Sequence, residues 1–241
     1  MSLEVRGLTK SYGQVVVADH IDIELQTGQC LGVIGPNGAG KSSLFHLLTG
    51  TVMPDAGAIS LDGNELSGLP AHRRARLGVA RAFQVPQPFA HLSVFQNALT
   101  ASSFAAGLHG EAAAAAAQDA LRVCGLASAA DKLAGALPLL DRKRLEMAKA
   151  VAAQPRLLLL DEVAGGLTER EVHEIVDLVQ QLKQRYAVIW IEHIAHALHA
   201  VADRIMVLHF GRKLLEDSPA KVMDSDIVRE IYMGVPANAA A

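Results

Sequence analysis

Apolar and polar residues alternate near the start of the chain. Leu3, Val5 and Leu8 come first, then residues 15–17, then Ile21, Ile23 and Leu25 set among acidic residues. That period of two predicts short β-strands, with Lys10-Ser11-Tyr12-Gly13 as a turn between the first two. Residues 31–34, 157–160 and 187–191 are uninterrupted apolar runs and read as buried strands. The run at 157–160 is of the kind found in parallel sheets covered on both faces. Leu44, Phe45, Leu47 and Leu48 recur at helical spacing. Residues 58–63 form a turn-rich strand. Residues 77–84 read as another strand ending at Gln84, before Val85-Pro86-Gln87-Pro88 breaks regular structure.

Residues 93–152 differ in character. Alanine is dense there, including the run 112–117, and strand formers are few, which predicts a helical insert. Within it, residues 142–151 make an amphipathic helix with Leu145, Met147, Ala148 and Val151 inward. Residues 169–186 predict a charged amphipathic helix, and 204–208 with 211–215 a hairpin. A short helix near 220–233 and an alanine-rich tail at 237–241 close the chain.

The apolar run at 31–34 leads into Gly35-Pro36-Asn37-Gly38-Ala39-Gly40-Lys41-Ser42-Ser43. This matches G-x-x-x-x-G-K-[ST], the phosphate-binding loop, between strand and helix as the motif requires. A shuffled chain of this composition would match only about once in a few hundred cases, so chance does not account for it. Gly35, Gly38 and Gly40 let the backbone curl with its N–H groups inward, and the following helix points its positive end at the same place. Lys41 is expected to reach the β- and γ-phosphates of a nucleotide, and the Ser42 hydroxyl to ligate Mg²⁺.

The remaining candidates lie at strand ends. Asp161 and Glu162 close the run at 157–160. Asp161 suits a Mg²⁺ shell, and Glu162 suits a base for an attacking water. Gln84 is either a surface residue or a contact to a metal or water beside a phosphate. His193 is either a surface histidine or a contact to a γ-phosphate. His196 and His199 follow at helical spacing, but no acidic or cysteine partner completes a metal face. Tyr12 is either a half-buried turn residue or a stacking platform for a purine.

Composition narrows the class. The chain has 241 residues, enough for one large domain, or one domain with a small subdomain, with a buried core. Net charge is −3 with no basic block, which argues against nucleic acid as the main partner. No apolar stretch is long enough to cross a bilayer, and no secretion signal opens the chain. Cys30 and Cys124 stand in no metal spacing, so a reduced, cytosolic chain is expected.

In this order the pieces resemble the ATP-binding subunit of an ABC transporter across nearly the whole chain. The resemblance implies an α/β fold with a P-loop NTPase (RecA-like) core, an antiparallel β subdomain and a helical subdomain. The core would take residues 1–92 and 153–236, and the helical subdomain 93–152. It places Tyr12 at the adenine-stacking position, residues 35–43 at Walker A, Gln84 at the Q-loop and 157–161 at Walker B. Glu162 falls at the catalytic carboxylate and His193 at the switch histidine. ATP and Mg²⁺ are the implied cofactors, with Ser42, Gln84 and Asp161 on the metal. The wording GVARAFQ (78–84), EVAGGL (162–167), IEH (191–193) and IVREIYMGV (227–235) looks most like importers of branched-chain, hydrophobic amino acids.

The same resemblance implies a peripheral ATPase on the cytoplasmic face of the inner membrane, dimerising head to tail. It would drive two membrane permease subunits, docked at residues 85–94, and serve an external solute-binding protein indirectly. One motif departs. Where the family carries LSGGQ, this chain has Leu137-Pro138-Leu139-Leu140-Asp141. Pro138 lacks both hydroxyl and N–H, the leucines add bulk, and Asp141 adds a charge like that of phosphate. A homodimer would then hold two damaged sites, whereas a heterodimer with an intact partner would keep one competent site. Val163, where the family usually has proline, and Gly166-Leu167-Thr168 in the D-loop read as mild variation.

Overall fold

The computed structural model describes residues 2–226 and 228. The chain opens with β1 (Ser2–Tyr12), β2 (Val15–Gln26) and β3 (Cys30–Ile34), then α1 (Lys41–Thr49) and β4 (Ala56–Leu61). Next come β5 (Asn64–Glu65), α2 (Ala71–Arg76), β6 (Val79–Ala82), α3 (Val94–Phe104), α4 (Gly110–Val123) and α5 (Leu139–Ala152). The last part holds β7 (Leu157–Asp161), α6 (Glu169–Lys183), β8 (Ala187–Ile191), α7 (Ala195–Val201), β9 (Arg204–His209), β10 (Arg212–Asp217) and α8 (Pro219–Met223). The helix expected at 220–233 stops at Met223 with Asp224 as its C-cap; its residues 227 and 229–233, the tail, and IVREIYMGV apart from Val228 lie outside the described residues.

Two sheets organise these elements: a four-stranded one, β2-β1-β4-β5, and a six-stranded one, β10-β9-β3-β8-β7-β6. The first is antiparallel throughout; in the second only β10 runs antiparallel to its neighbour. Side chains alternate across the large sheet. Leu158, Leu160, Val188 and Trp190 share a core with Leu145 and Met147 of α5 and Ile175, Val179 and Leu182 of α6. Leu157, Leu159, Ile189 and Ile191 share the opposite core with Leu44, Phe45, Leu47 and Leu48 of α1 and the first sheet. A strand covered on both faces has no polar side to signal its register, hence the uninterrupted apolar runs.

Some expected boundaries shift. The alternating N-terminal stretch forms two long strands rather than three short ones. β2 runs unbroken through Asp19 and His20, with His20 at φ 52° and register shifts along β1 absorbing the irregularity. Lys10, Ser11 and Tyr12 belong to β1, and the turn is Gly13-Gln14. β6 stops at Ala82, leaving Phe83 and Gln84 beyond the ladder. The helix expected at 142–151 begins at Leu139, because Pro138 in extended conformation serves as its N-cap. The alanine run lies in α4, with Ala113, Ala117 and Ala120 buried, so it is packed helix. Among the described residues no helix is long and apolar enough to cross a membrane.

Candidate functional site

Parallel registration sets the site. Val33 pairs with Ile191, Asp161 with Ile191, and Ala82 with Leu160, so the carboxyl ends of four strands share one edge. The loops leaving that edge carry the phosphate loop, Gln84, Glu162 and His193. Ligands bind in open α/β sheets at such an edge.

The phosphate loop is held from behind. A Cβ on Gly35 would lie 2.3 Å from the Leu208 carbonyl oxygen, and one on Gly40 2.4 Å from that of Val17. Gly40 also has φ +104°, which an L side chain rarely adopts. Gly211 N donates to Ala39 O at 2.9 Å, so the β9–β10 turn braces the loop. Asn37 and Gly38 are exposed at the mouth, Pro36 and Ser43 half-buried, and Ser42 exposed in the first turn of α1. The Lys41 ammonium donates to Gly35 O (2.5 Å) and Pro36 O (3.0 Å). Burial lowers its pKa, opposed by the nearby charges of Glu162 and Asp161.

Glu162 is the hub of the opposite wall. Its φ is 46°, uncommon for a residue with a Cβ. Its N–H donates to Ile191 O at 2.8 Å. One carboxylate oxygen accepts from the Gln84 amide nitrogen, and the other lies 2.8 Å from His193 Nε2. A carboxylate only accepts, so Nε2 carries the hydrogen there. Three sequence candidates separated by up to 109 residues therefore meet directly. Asp161 instead pairs with Arg81, whose guanidinium lies over the rings of Phe45 (5.4 Å) and Phe83 (4.8 Å). Tyr12 is 53% exposed, with Lys10 Nζ 5.4 Å from its ring centroid. His196 stacks on His173, at 6.0 Å between centroids.

Hydroxyl, carboxylate and carboxamide oxygens are the hard donors that Mg²⁺ takes, and Ser42, Asp161 and Gln84 supply that set. Together with a loop whose Gly35 and Gly40 have no room for a Cβ and an ammonium held against its carbonyls, these residues fit a Mg²⁺-bound nucleoside triphosphate.

Three charged residues at this wall escaped the sequence reading. Lys143 on α5 is buried and donates to Gln84 O (2.6 Å) and Glu162 O (3.2 Å). Glu192 is buried and accepts from Ala164 N (3.1 Å) and His193 N (2.9 Å). Arg81 is the third. One signal was available: Lys143, Glu146, Met147 and Ala150 follow helical spacing, so two charges sit on the buried stripe of α5.

Known proteins resemble this chain over most of its length. The family model described as ABC transporter matches residues 18–165. The chain is 34% identical to the high-affinity branched-chain amino acid transport ATP-binding protein BraF of Pseudomonas aeruginosa, covering 96% of this chain and 97% of that one. It is 33% identical to the high-affinity branched-chain amino acid transport ATP-binding protein LivG of Escherichia coli K12, with the same coverage. It is also 33% identical to the lipopolysaccharide export system ATP-binding protein LptB of Acidithiobacillus ferridurans, covering 96% of both. Among solved structures, the ADP conformation of MJ1267, an ATP-binding cassette of an ABC transporter, superposes with a TM-score of 0.88. The two share 25% identity, over 98% of this chain and 100% of that one. A phosphate loop facing a carboxylate held between glutamine and histidine, on a chain so matched, belongs to the ABC transporter family: this is an ATPase coupled to transport.

Proposed function

We propose that this chain powers an importer of branched-chain or other hydrophobic amino acids, or of related small organic solutes. The observation that carries the reading is the Glu162 carboxylate held between Gln84 and His193 on the edge that carries the phosphate loop. The likeness to BraF and LivG over nearly the full length supports the substrate class.

In this reading Tyr12 stacks on adenine, and the amides of residues 35–43 with Lys41 grip the phosphates. Ser42, Asp161 and Gln84 hold Mg²⁺, which when bound neutralises charge on the phosphate oxygens. Glu162 takes the proton of the attacking water, while His193 donates toward the γ-phosphate. Lys41 leaves the Gly35 and Pro36 carbonyls to do its part. A Glu162→Gln change tests this: the variant should bind and retain ATP while hydrolysis and transport stop, and sustained hydrolysis would refute it.

The active unit is a heterodimer. Pro138 offers no side-chain cap, Leu139 is exposed at the first helical position, and Asp141 in the first turn sits 3.5 Å from Arg144. An acid at a helix N-terminus occupies the place where the family's signature loop receives phosphate, so the competent site borrows that loop from a partner chain. Hydrolysis by the purified chain alone, compared with hydrolysis beside its partner, is the measurement; robust turnover alone defeats the proposal. Two permease subunits dock at residues 85–94, where the nucleotide-binding core meets the helical subdomain. A groove of about 510 Å³ opens there, lined by Phe83, Ala101, Ala105, Ala150 and Ala153 with Arg81, Glu146 and Lys149 among its polar groups. Val85 and Phe89, on the segment expected to dock, are exposed.

A second reading, an ATPase for lipid or polysaccharide export, is favoured by the 33% identity to LptB. Uptake of labelled leucine by vesicles holding the natural complex separates the two.

A further inference from the structure

The backbone around Gln84 is gripped by one face of α5. Lys143 donates to Gln84 O at 2.6 Å, Glu146 accepts from Gln87 N at 2.8 Å, and Lys149 donates to Gln87 O at 3.1 Å. The three are spaced by three residues, so one helix face presents plus, minus, plus to a loop that Pro86 and Pro88 keep out of regular structure. Lys149 and Glu146 also bond each other at 2.6 Å. Glu146 is 2% exposed and Lys143 3%, so two of the three rungs are desolvated.

The first rung reaches further. Lys143 also donates to the Glu162 carbonyl at 3.2 Å, across a turn whose φ of 46° is unfavourable for glutamate. Glu192 holds the same turn from its other end through Ala164 N. The last two rungs, Glu146 and Lys149, line the groove between the subdomains. A single helix face therefore touches the groove at one end and the backbone of Glu162 at the other.

We propose that Lys143, Glu146 and Lys149 are positioning residues that make α5 and the 84–87 loop one mechanical unit. Lys143 within it fixes the strained Glu162 turn and so the aim of its carboxylate. This rests on the reading of Glu162 as the base for water. The structural half is independent of it. An ammonium is suited to the task because it reaches carbonyls from two loops at once, where an apolar residue would take the Lys143 donor from Gln84 O and leave Glu162 O with Gly165 N alone.

Amide hydrogen exchange on the full chain reads the clamp directly. Lys143→Met should raise exchange in 84–88 and 162–166 by about tenfold or more while β3 and β8 stay protected. Lys143→Arg, which keeps the donors, should restore most of that protection. In the assembled transporter Lys143→Met should lower kcat by about tenfold or more with nucleotide affinity within about twofold. Unchanged exchange in both segments overturns the proposal, as does a kcat within twofold of wild type. If Lys143→Met loses protection throughout, Lys149→Met, at the half-exposed end of the face, decides instead. Faster exchange confined to 84–88 supports the clamp, and wild-type exchange there overturns it. The two readings fail separately: hydrolysis surviving in Glu162→Gln sinks the base assignment and leaves the exchange result standing.

Discussion

His193 Nε2 stands 2.8 Å from Glu162 Oε1, while the Gln84 amide holds the other oxygen of that carboxylate. The acid is thus oriented from two loops at once. A base for water must present a fixed lone pair, and two donors on one carboxylate remove its rotational freedom.

His193→Ala should therefore lower hydrolysis by about 100-fold, with ATP affinity changed little, because one preorganised donor is lost. Steady-state phosphate release beside equilibrium binding of a fluorescent ATP analogue checks this. Equal loss in both would mean that the histidine only supports the pocket.

Gly40→Ala places a Cβ 2.4 Å from the Val17 carbonyl oxygen at φ +104°. The loop must move away from β2, which misaligns its amides. Nucleotide affinity should fall by about tenfold or more, and calorimetric titration with ATP and Mg²⁺ reads it. Gly38→Ala, which meets nothing within 4 Å, should cost less although its φ is +81°.

Arg74 is fully buried and spends its guanidinium on backbone carbonyls: Leu69, Leu47, Leu48 and Ser67, at 2.6 to 3.1 Å. Two of those carbonyls lie in the last turn of α1, the helix that follows the phosphate loop. Arg74→Met strips partners from four acceptors, the Leu47 and Leu48 carbonyls buried among them, and should destabilise the fold by about 3 kcal/mol or more. Urea unfolding would show the shift in midpoint.

Burial raises the pKa of Glu192 above its usual 4.5, against hydrogen bonds from His193, Ala164 and Ile194 that lower it. The folded state then holds a proton that the unfolded state has released between pH 4.5 and the raised value. Stability contributed by this group is present at low pH and falls as pH rises through that window. Glu192→Gln should remove that slope from the plot of unfolding free energy against pH, and an unaltered slope would contradict the assignment.

Much of this was legible because its signals are local. The strand at 187–191 has the bounds expected of it, since five apolar residues end at Glu192 and follow a polar helix. α6 starts at Glu169 because Thr168 and Glu171 form a capping box, although it stops at Lys183 rather than 186. The start of α5 was missed. Helical apolar spacing was read only from 142, but Pro138 favours a helix start, and the helix takes in Leu139, Leu140 and Asp141. The merger of three short strands into two was hidden too, because bulges and the positive φ of His20 carry no periodicity.

The phosphate loop was legible in sequence alone, since glycines, lysine and serine at fixed spacing within one short segment, between an apolar run and a helix, mark a backbone curl that few other segments could make. The meeting of Gln84, Glu162 and His193 was decided by the parallel register of β6, β7 and β8, which no residue encodes by itself. Lys143, Arg81 and Glu192 gain their partners only there. A charge is stabilised inside a protein by groups that packing brings to it from distant parts of the chain, so its role is written in three dimensions.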